Sequence, residues 1–268
     1  MKKVTFYALS LFSAGIILSS VNYAQTNVFD NVIAPSPNHT YLEAALIQEG
    51  LVGALQNPNA TLTVFAPDDQ AFTNLATSLG ITIPGLLALP NLDDILLYHV
   101  LGTTVPSSAV TNGAIVQPLS PTNTLKITAT AAGNVYINQA QVTAVDLTTA
   151  NGVVHVTNGV LLPVETVADI AIDNGFTNLV TAVVNAELLP ALTNPFSNLT
   201  VFAPTNQAFQ DIADDLGFPL VTLLAVPAIS DILLYHVLGT EVPSSAVTNG
   251  ALVQPLNIAN TLKMTVTG

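Results

Sequence analysis

The chain has 268 residues, half of them hydrophobic, with a mean hydropathy of +0.57 and no cysteine. Four lysines and no arginine stand against seventeen acidic side chains. That balance excludes nucleic-acid binding, which needs cationic forks for phosphates, and disfavours anionic lipid surfaces. The absence of cysteine rules out disulfides and lipid attachment through a thiol, so core burial must hold the fold.

In chain order, Lys2 and Lys3 precede an apolar run over 4–18 and then small or polar residues up to Ala24-Gln25. This is the pattern of a secretory signal peptide over 1–24. The alternative is an uncleaved anchor, but the run is short for a span of about 20 residues. Export implies a secreted or cell-surface protein with no stable membrane insertion after cleavage. Sequons begin at Asn38, Asn59 and Asn198.

Leu42, Ala45, Leu46 and Glu49 recur at helical spacing and predict a helix over 41–52, which Thr40 can cap. Asn57-Pro58-Asn59 then breaks the chain before Leu62-Thr63-Val64-Phe65, a run of strand formers ended by Pro67. Asp68 is placed to cap a helix running to Leu79-Gly80, with Phe72 plugging that helix into the core. Another helix is expected over 91–98 and a short strand over 99–102. Strands follow over 114–118, 124–130, 134–137, 142–146, 153–157 and 160–162, with turns at Asn112-Gly113, Asn151-Gly152 and Asn158-Gly159. Helices first and strands later favour an α+β fold.

The same landmarks then recur 137 positions on. Leu62-Thr63-Val64-Phe65-Ala66-Pro67 returns as Leu199-Thr200-Val201-Phe202-Ala203-Pro204, Tyr98-His99-Val100-Leu101-Gly102 as Tyr235-His236-Val237-Leu238-Gly239, and Thr124-Leu125-Lys126 as Thr261-Leu262-Lys263. Thr205 takes the capping position of Asp68, and Phe209 that of Phe72. A period this long is too large for a solenoid unit and has the size of a domain. The expected organisation is a signal peptide over 1–24, a first domain over 25–163 and a second over 164–268. The second copy stops where the first still has strands to run, so the chain reads as a piece of a longer protein.

Thr63-Val64-Phe65-Ala66-Pro67-Asp68-Asp69-Gln70-Ala71-Phe72 and its copy over 200–209 resemble the first signature box of fasciclin (FAS1) domains. Tyr98-His99 and Tyr235-His236 resemble the family's Tyr-His motif. Asn151-Gly152-Val153-Val154-His155-Val156-Thr157-Asn158-Gly159-Val160-Leu161-Leu162-Pro163 resembles the closing box, with Thr157-Asn158 where an Ile-Asp pair is usual. The resemblance implies a compact seven-stranded β-sandwich or wedge flanked by several α-helices, in two tandem copies of which the second is truncated. It also implies secreted or surface proteins active in adhesion, matrix assembly or host contact, and a binding role for Tyr98, His99, Tyr235 and His236.

A second reading of these pairs is structural: Leu96, Leu97, Val100 and Leu101 surround Tyr98 and His99, so the rings would pack at a helix-to-strand junction. His155, in an alternating strand, reads as a structural histidine, and His39, with no counterpart in the second copy, as loop. His99 and His155 lack the further ligands a zinc site needs, and Asp68-Asp69 and Asp93-Asp94 lack calcium-loop spacing. No nucleophile elbow or phosphate loop is present, and proximity of Ser107, His99 and Asp94 is not triad geometry. The expectation is therefore no enzyme, no metal and no cofactor.

One internal comparison stands out. Residues 95–114 and 232–251 agree at every position except Thr104 and Glu241, whereas 73–93 and 210–230 have diverged. The segment holds both the Tyr-His pair and the Pro106-Ser107-Ser108 loop. The function expected is adhesion or matrix interaction through tandem domains, with a cell-surface or matrix protein or glycan as partner. The alternative is a module that holds a small apolar or glycan ligand in a groove between helix and sheet.

Overall fold

The computed structural model describes residues 27–265; the signal peptide expected over 1–24 lies outside them. The first repeat opens with a π-helical turn, Phe29–Ile33, followed by α1 (Thr40–Gln48) and α2 (Val52–Gln56). The single helix expected over 41–52 is divided because Gly50 turns left-handed at φ +68°. Thr40 does not cap α1. Its hydroxyl and the Tyr41 N–H both donate to the Asp69 carboxylate, which caps α1 from 28 residues away (2.9 Å from Tyr41 N).

Strand β1 (Leu62–Pro67) leads into α3 (Asp69–Leu79), α4 (Ile83–Leu87) and α5 (Leu92–Tyr98). Asp68 caps α3 by accepting the Ala71 N–H at 2.8 Å, and Gly80 ends it at φ +66°. Strands β2 (Val100–Leu101), β3 (Ile115–Val116), β4 (Leu125–Ala129), β5 (Val135–Ile137), β6 (Ala140–Thr149) and β7 (Gly152–Thr157) complete the repeat. The 160–162 stretch is not a strand; it lies off the ladder, where Leu161 engages a side chain described below.

The seven strands form one mixed sheet in the order β2-β1-β7-β6-β5-β4-β3. β1 and β7 are parallel, from Leu62 opposite Gly152 to Pro67 opposite Thr157, and the remaining pairs are antiparallel. Register breaks in β6 between Val142 and Leu147 bend it, which curls the sheet. All six β1 residues are buried, as a strand covered on both faces requires. Leu62, Val64 and Ala66 face the helices with Leu46, Phe72 and Leu96, while Phe65 faces the concave side with Leu125, Ile127 and Ile137.

The β1–β7 approach is close at one point. A Cβ added to Gly152 would lie 2.3 Å from the Leu62 carbonyl oxygen, so only glycine fits. Gly152→Ala is expected to cost about 3 kcal/mol by forcing the strands apart. Urea denaturation checks this as a lowered midpoint with an unchanged m-value.

The second repeat contains α6 (Val167–Asp173), α7 (Thr177–Asn185), α8 (Leu189–Leu192), β8 (Thr200–Val201), α9 (Asn206–Leu216), α10 (Leu220–Leu223), α11 (Ile229–Tyr235), β9 (Val237–Leu238), β10 (Leu252–Val253) and β11 (Leu262–Lys263). Thr205 caps α9 through the Ala208 N–H at 3.2 Å. Among the described residues β8 pairs only with β9, and β10 with β11; counterparts of β5 to β7 would fall past residue 268.

The repeats meet where the β3–β4 end of the sheet receives α6 to α8. Lys126 on β4 forms an ion pair with Asp169 on α6, their side chains 2% and 6% exposed. Asp169 is also the acidic member of a capping box with Thr166, and Lys126 Nζ donates to the Thr124 carbonyl at 2.9 Å. Asn123 donates to the Val164 carbonyl at 3.0 Å, and Glu187 accepts the Ala131 N–H.

Candidate functional site

The Tyr98-His99 pair sits where α5 hands over to β2. Tyr98 is wholly buried, donates its hydroxyl to the Thr124 carbonyl at 2.7 Å and accepts from Asn138 Nδ2 at 3.0 Å. Burial pushes the phenol up to about 12, with the Asn138 hydrogen bond opposing. Asn138 itself adopts φ +50° and accepts the Lys126 N–H through Oδ1 at 2.8 Å, tying the phenol to β4.

His99 is equally enclosed, and its partners define its tautomer. Nε2 accepts the Leu161 N–H at 2.9 Å, so the proton resides on Nδ1 and is donated to the Ile95 carbonyl at 2.7 Å. The ring bridges α5 to the segment that follows β7. Desolvation pushes its pKa down to about 4 against the smaller effect of the Ile95 hydrogen bond, leaving the imidazole neutral at ordinary pH.

The equivalent pair in the second repeat is only half-buried. Tyr235 donates to the Thr261 carbonyl at 2.8 Å and His236 Nδ1 bonds the Ile232 carbonyl at 2.8 Å, reproducing the first-repeat contacts. His236 Nε2 has no partner among the described residues, and it lines an apolar groove.

His155 lies on β7 beneath the loop that follows β2. Its Nδ1 accepts the Asp146 N–H at 3.2 Å, its Nε2–H donates to the Val105 carbonyl at 2.9 Å, and its ring stacks on Phe65. Ser107 donates its N–H and hydroxyl to Asp146, and these bonds hold that carboxyl below its usual range. The same loop is anchored from β1: the Thr63 hydroxyl donates to the Thr103 carbonyl at 2.6 Å and accepts the Val105 N–H at 2.8 Å. Thr200 repeats both bonds with Thr240 and Val242 at 2.9 and 2.8 Å.

The anchored loop is the exposed part of the repeat-identical segment. Gly102, Thr103, Pro106, Ser108, Ala109, Thr111 and Asn112 lie at the surface, and so do their counterparts 137 positions on. Both copies carry the same 3₁₀ turn, Ser107–Ala109 and Ser244–Ala246.

The other candidates are engaged elsewhere. Ser107 bonds Asp146, Asp94 bonds Thr122, and His99 bonds Ile95 and Leu161, so these three do not form a relay. Asp68 and Asp69 serve as helix caps. His39 is buried at the start of α1, with Nδ1 against the Ser36 hydroxyl at 2.7 Å. Among the described residues no group of three or more histidines, cysteines or carboxylates could hold a metal ion, and no helix is long and apolar enough to cross a membrane.

Sequence reasoning missed Thr63, Asn138, Asn151 and the Lys126–Asp169 pair. Asn151, taken as a turn residue, is buried; it donates to the Leu55 and Asn57 carbonyls at 2.7 and 3.1 Å and accepts the Val28 N–H at 3.0 Å. The available signal was Lys126 itself, the sole lysine or arginine between positions 4 and 262, set inside an apolar strand.

The Fasciclin domain model matches two segments, residues 37–163 and 174–268. The chain belongs to the fasciclin-domain family. Among curated relatives, protein sll1483 of Synechocystis is 32% identical over 56% of this chain and 81% of its own length. Human periostin is 26% identical over 87% of this chain, and pig transforming growth factor-beta-induced protein ig-h3 is 26% identical over 78%. The chain spans only 27% of periostin and 30% of that ig-h3 protein. A solved FAS1 domain pair from the insect cell adhesion molecule fasciclin I is 19% identical, with a TM-score of 0.41 over 85% of this chain and 83% of that one.

Proposed function

We propose that this fasciclin-domain chain is a secreted or cell-surface adhesion or matrix-type protein. Its two domains, 25–163 and 164–268, present two copies of one contact loop. The carrying observation is the division within the repeat-identical segment: Tyr98 and His99 are buried and fully bonded, whereas the Pro106-Ser107-Ser108 turn beside them is exposed and rigidly anchored. Thr63, Asp146 and His155 hold the loop in place, and the loop makes the contact with a cell-surface or matrix protein or glycan. Apart from Glu241 in the second copy, the loop carries no charged side chain and is rich in hydroxyls, which suits hydrogen-bonded recognition better than charge steering. Duplication adds avidity, since linked weak sites gain about 10²-fold or more without any new contact.

The test replaces exposed loop residues in both copies. Ser108→Arg with Ser245→Arg is expected to leave the melting temperature unchanged and to reduce attachment to immobilised cells or matrix at least tenfold, with each single variant intermediate. Unchanged attachment by the double variant overturns the proposal.

A further inference from the structure

Five Asn-Gly steps occur in the chain, at 112–113, 151–152, 158–159, 174–175 and 249–250. Such a step can react with itself, because glycine has no side chain to keep its backbone nitrogen from the asparagine amide carbon. The reaction needs a glycine N–H that is free to lose its proton and attack, and an asparagine that water can reach. Four of the five steps lack one of these. The N–H groups of Gly113, Gly175 and Gly250 donate to the carbonyls of Ile127, Ile172 and Met264 at 2.8, 3.0 and 2.8 Å. Asn151 is buried, its amide held by Leu55, Asn57 and Val28. Asn158-Gly159 differs on both counts. Asn158 is exposed where the chain leaves β7, and the Gly159 N–H has no hydrogen-bond partner among the described residues. The Asn158 side chain is also primed. Its Oδ1 accepts the Gln141 N–H at 2.9 Å, which places a donor at the oxygen where charge develops during attack.

We propose that Asn158-Gly159 is a self-modification site, at which the folded chain ages by loss of the Asn158 amide. The Gly159 nitrogen gives its proton to hydroxide or a buffer base, and its electron pair forms a bond to Asn158 Cγ. The resulting oxyanion, held by the Gln141 N–H, collapses and breaks the Cγ–Nδ2 bond. That nitrogen leaves as ammonia, with a proton taken from water. A water molecule then opens the cyclic imide at either carbonyl, giving aspartate or isoaspartate. The two products act differently on the fold. Aspartate keeps the backbone and still accepts from Gln141. Isoaspartate lengthens the main chain by one methylene. It does so between two anchors: the Asn158 N–H donating to the Gln141 carbonyl at 3.0 Å, and the Leu161 N–H donating to His99 Nε2 at 2.9 Å. The longer link displaces one anchor or the other and loosens the segment that closes the first repeat over α5.

The full chain is incubated in mildly alkaline buffer, with and without denaturing urea, and amide loss at each Asn-Gly step is followed by peptide mass spectrometry. Asn112 is the matched control. Its Oδ1 also accepts a backbone N–H, from Ala129 at 3.0 Å, but its glycine nitrogen is tied to Ile127. In the folded chain Asn158 should react about tenfold faster than Asn112, the rate equivalent of breaking one hydrogen bond. In urea, with both nitrogens free, the two rates should converge. Equal rates in the folded chain overturn the proposal. So does a preference for Asn158 that survives in urea, which would assign it to local sequence and not to the fold. The products give a second readout. The isoaspartyl fraction, separated by chromatography, should have a lower urea midpoint than the fresh chain, whereas Asn158→Asp, standing for the other product, should keep it. An isoaspartyl fraction with the fresh midpoint overturns the assigned effect on the closing segment.

Discussion

Lys126→Met lowers the unfolding free energy by about 3–5 kcal/mol, because it leaves the Asp169 carboxylate buried without its counter-charge. The two side chains are 2% and 6% exposed, so water cannot take the place of the lost ammonium. Desolvation lowers the Lys126 pKa to about 8 while the charge of Asp173 opposes it, so the ammonium persists at neutral pH. Removing both charges is a different matter. In Lys126→Met with Asp169→Asn the amide oxygen still accepts the Thr166 N–H that the carboxylate takes at 2.8 Å, so the α6 cap survives. That double variant should recover most of the loss, since a buried pair contributes little over a neutral filling of the same volume. Chemical denaturation of the two variants measures both values. Equal loss in the single and double variants would show that side-chain packing, and not charge, holds α6 to β4.

His99→Ala is expected to cost about 3–5 kcal/mol: a buried ring is deleted, and the Leu161 N–H and the Ile95 carbonyl lose their partner. Its signature in pH follows from the depressed pKa. Between about 4 and 6.5 the unfolded chain binds a proton at this position that the folded chain refuses. His99 therefore contributes stability that is fully present above 6.5 and is lost as pH falls toward 4, roughly 3 kcal/mol in all. Burial also lowers the pKa of His39, against the raising influence of Asp69 and Asp68, and so adds a slope of the same sign. His99→Ala should flatten the larger part of the slope, as read by urea midpoints at intervals across that range. A variant with the wild-type slope would contradict the buried, neutral imidazole.

The parts of the fold governed by local chemistry were legible in the sequence. Asp68 and Thr205 announced the starts of α3 and α9, and the apolar run ending at Pro67 announced β1. What was not legible depends on residues far apart in the chain. Asp69 reaches back 28 positions to Tyr41, Asn151 closes contacts 94 to 123 positions away, and Lys126 meets Asp169 across the repeat boundary. No local periodicity encodes such pairs. The Asn-Gly at 151–152 illustrates the confusion, since its turn chemistry conceals a glycine demanded by strand contact and an asparagine demanded by buried carbonyls. For the Tyr-His pair, the apolar neighbours suggested packing and the family resemblance suggested recognition. The geometry sets the buried, bonded rings of Tyr98 and His99 apart from the exposed loop over 102–112.

That division is tested most directly by titrating the His99 imidazole, followed by nitrogen-edited NMR and assigned by difference against His99→Ala. A ring that is neutral, protonated on Nδ1 and titrating near 4 is the expected result. A ring that titrates near 6.5 and exchanges freely with solvent would place His99 at the surface and contradict the account.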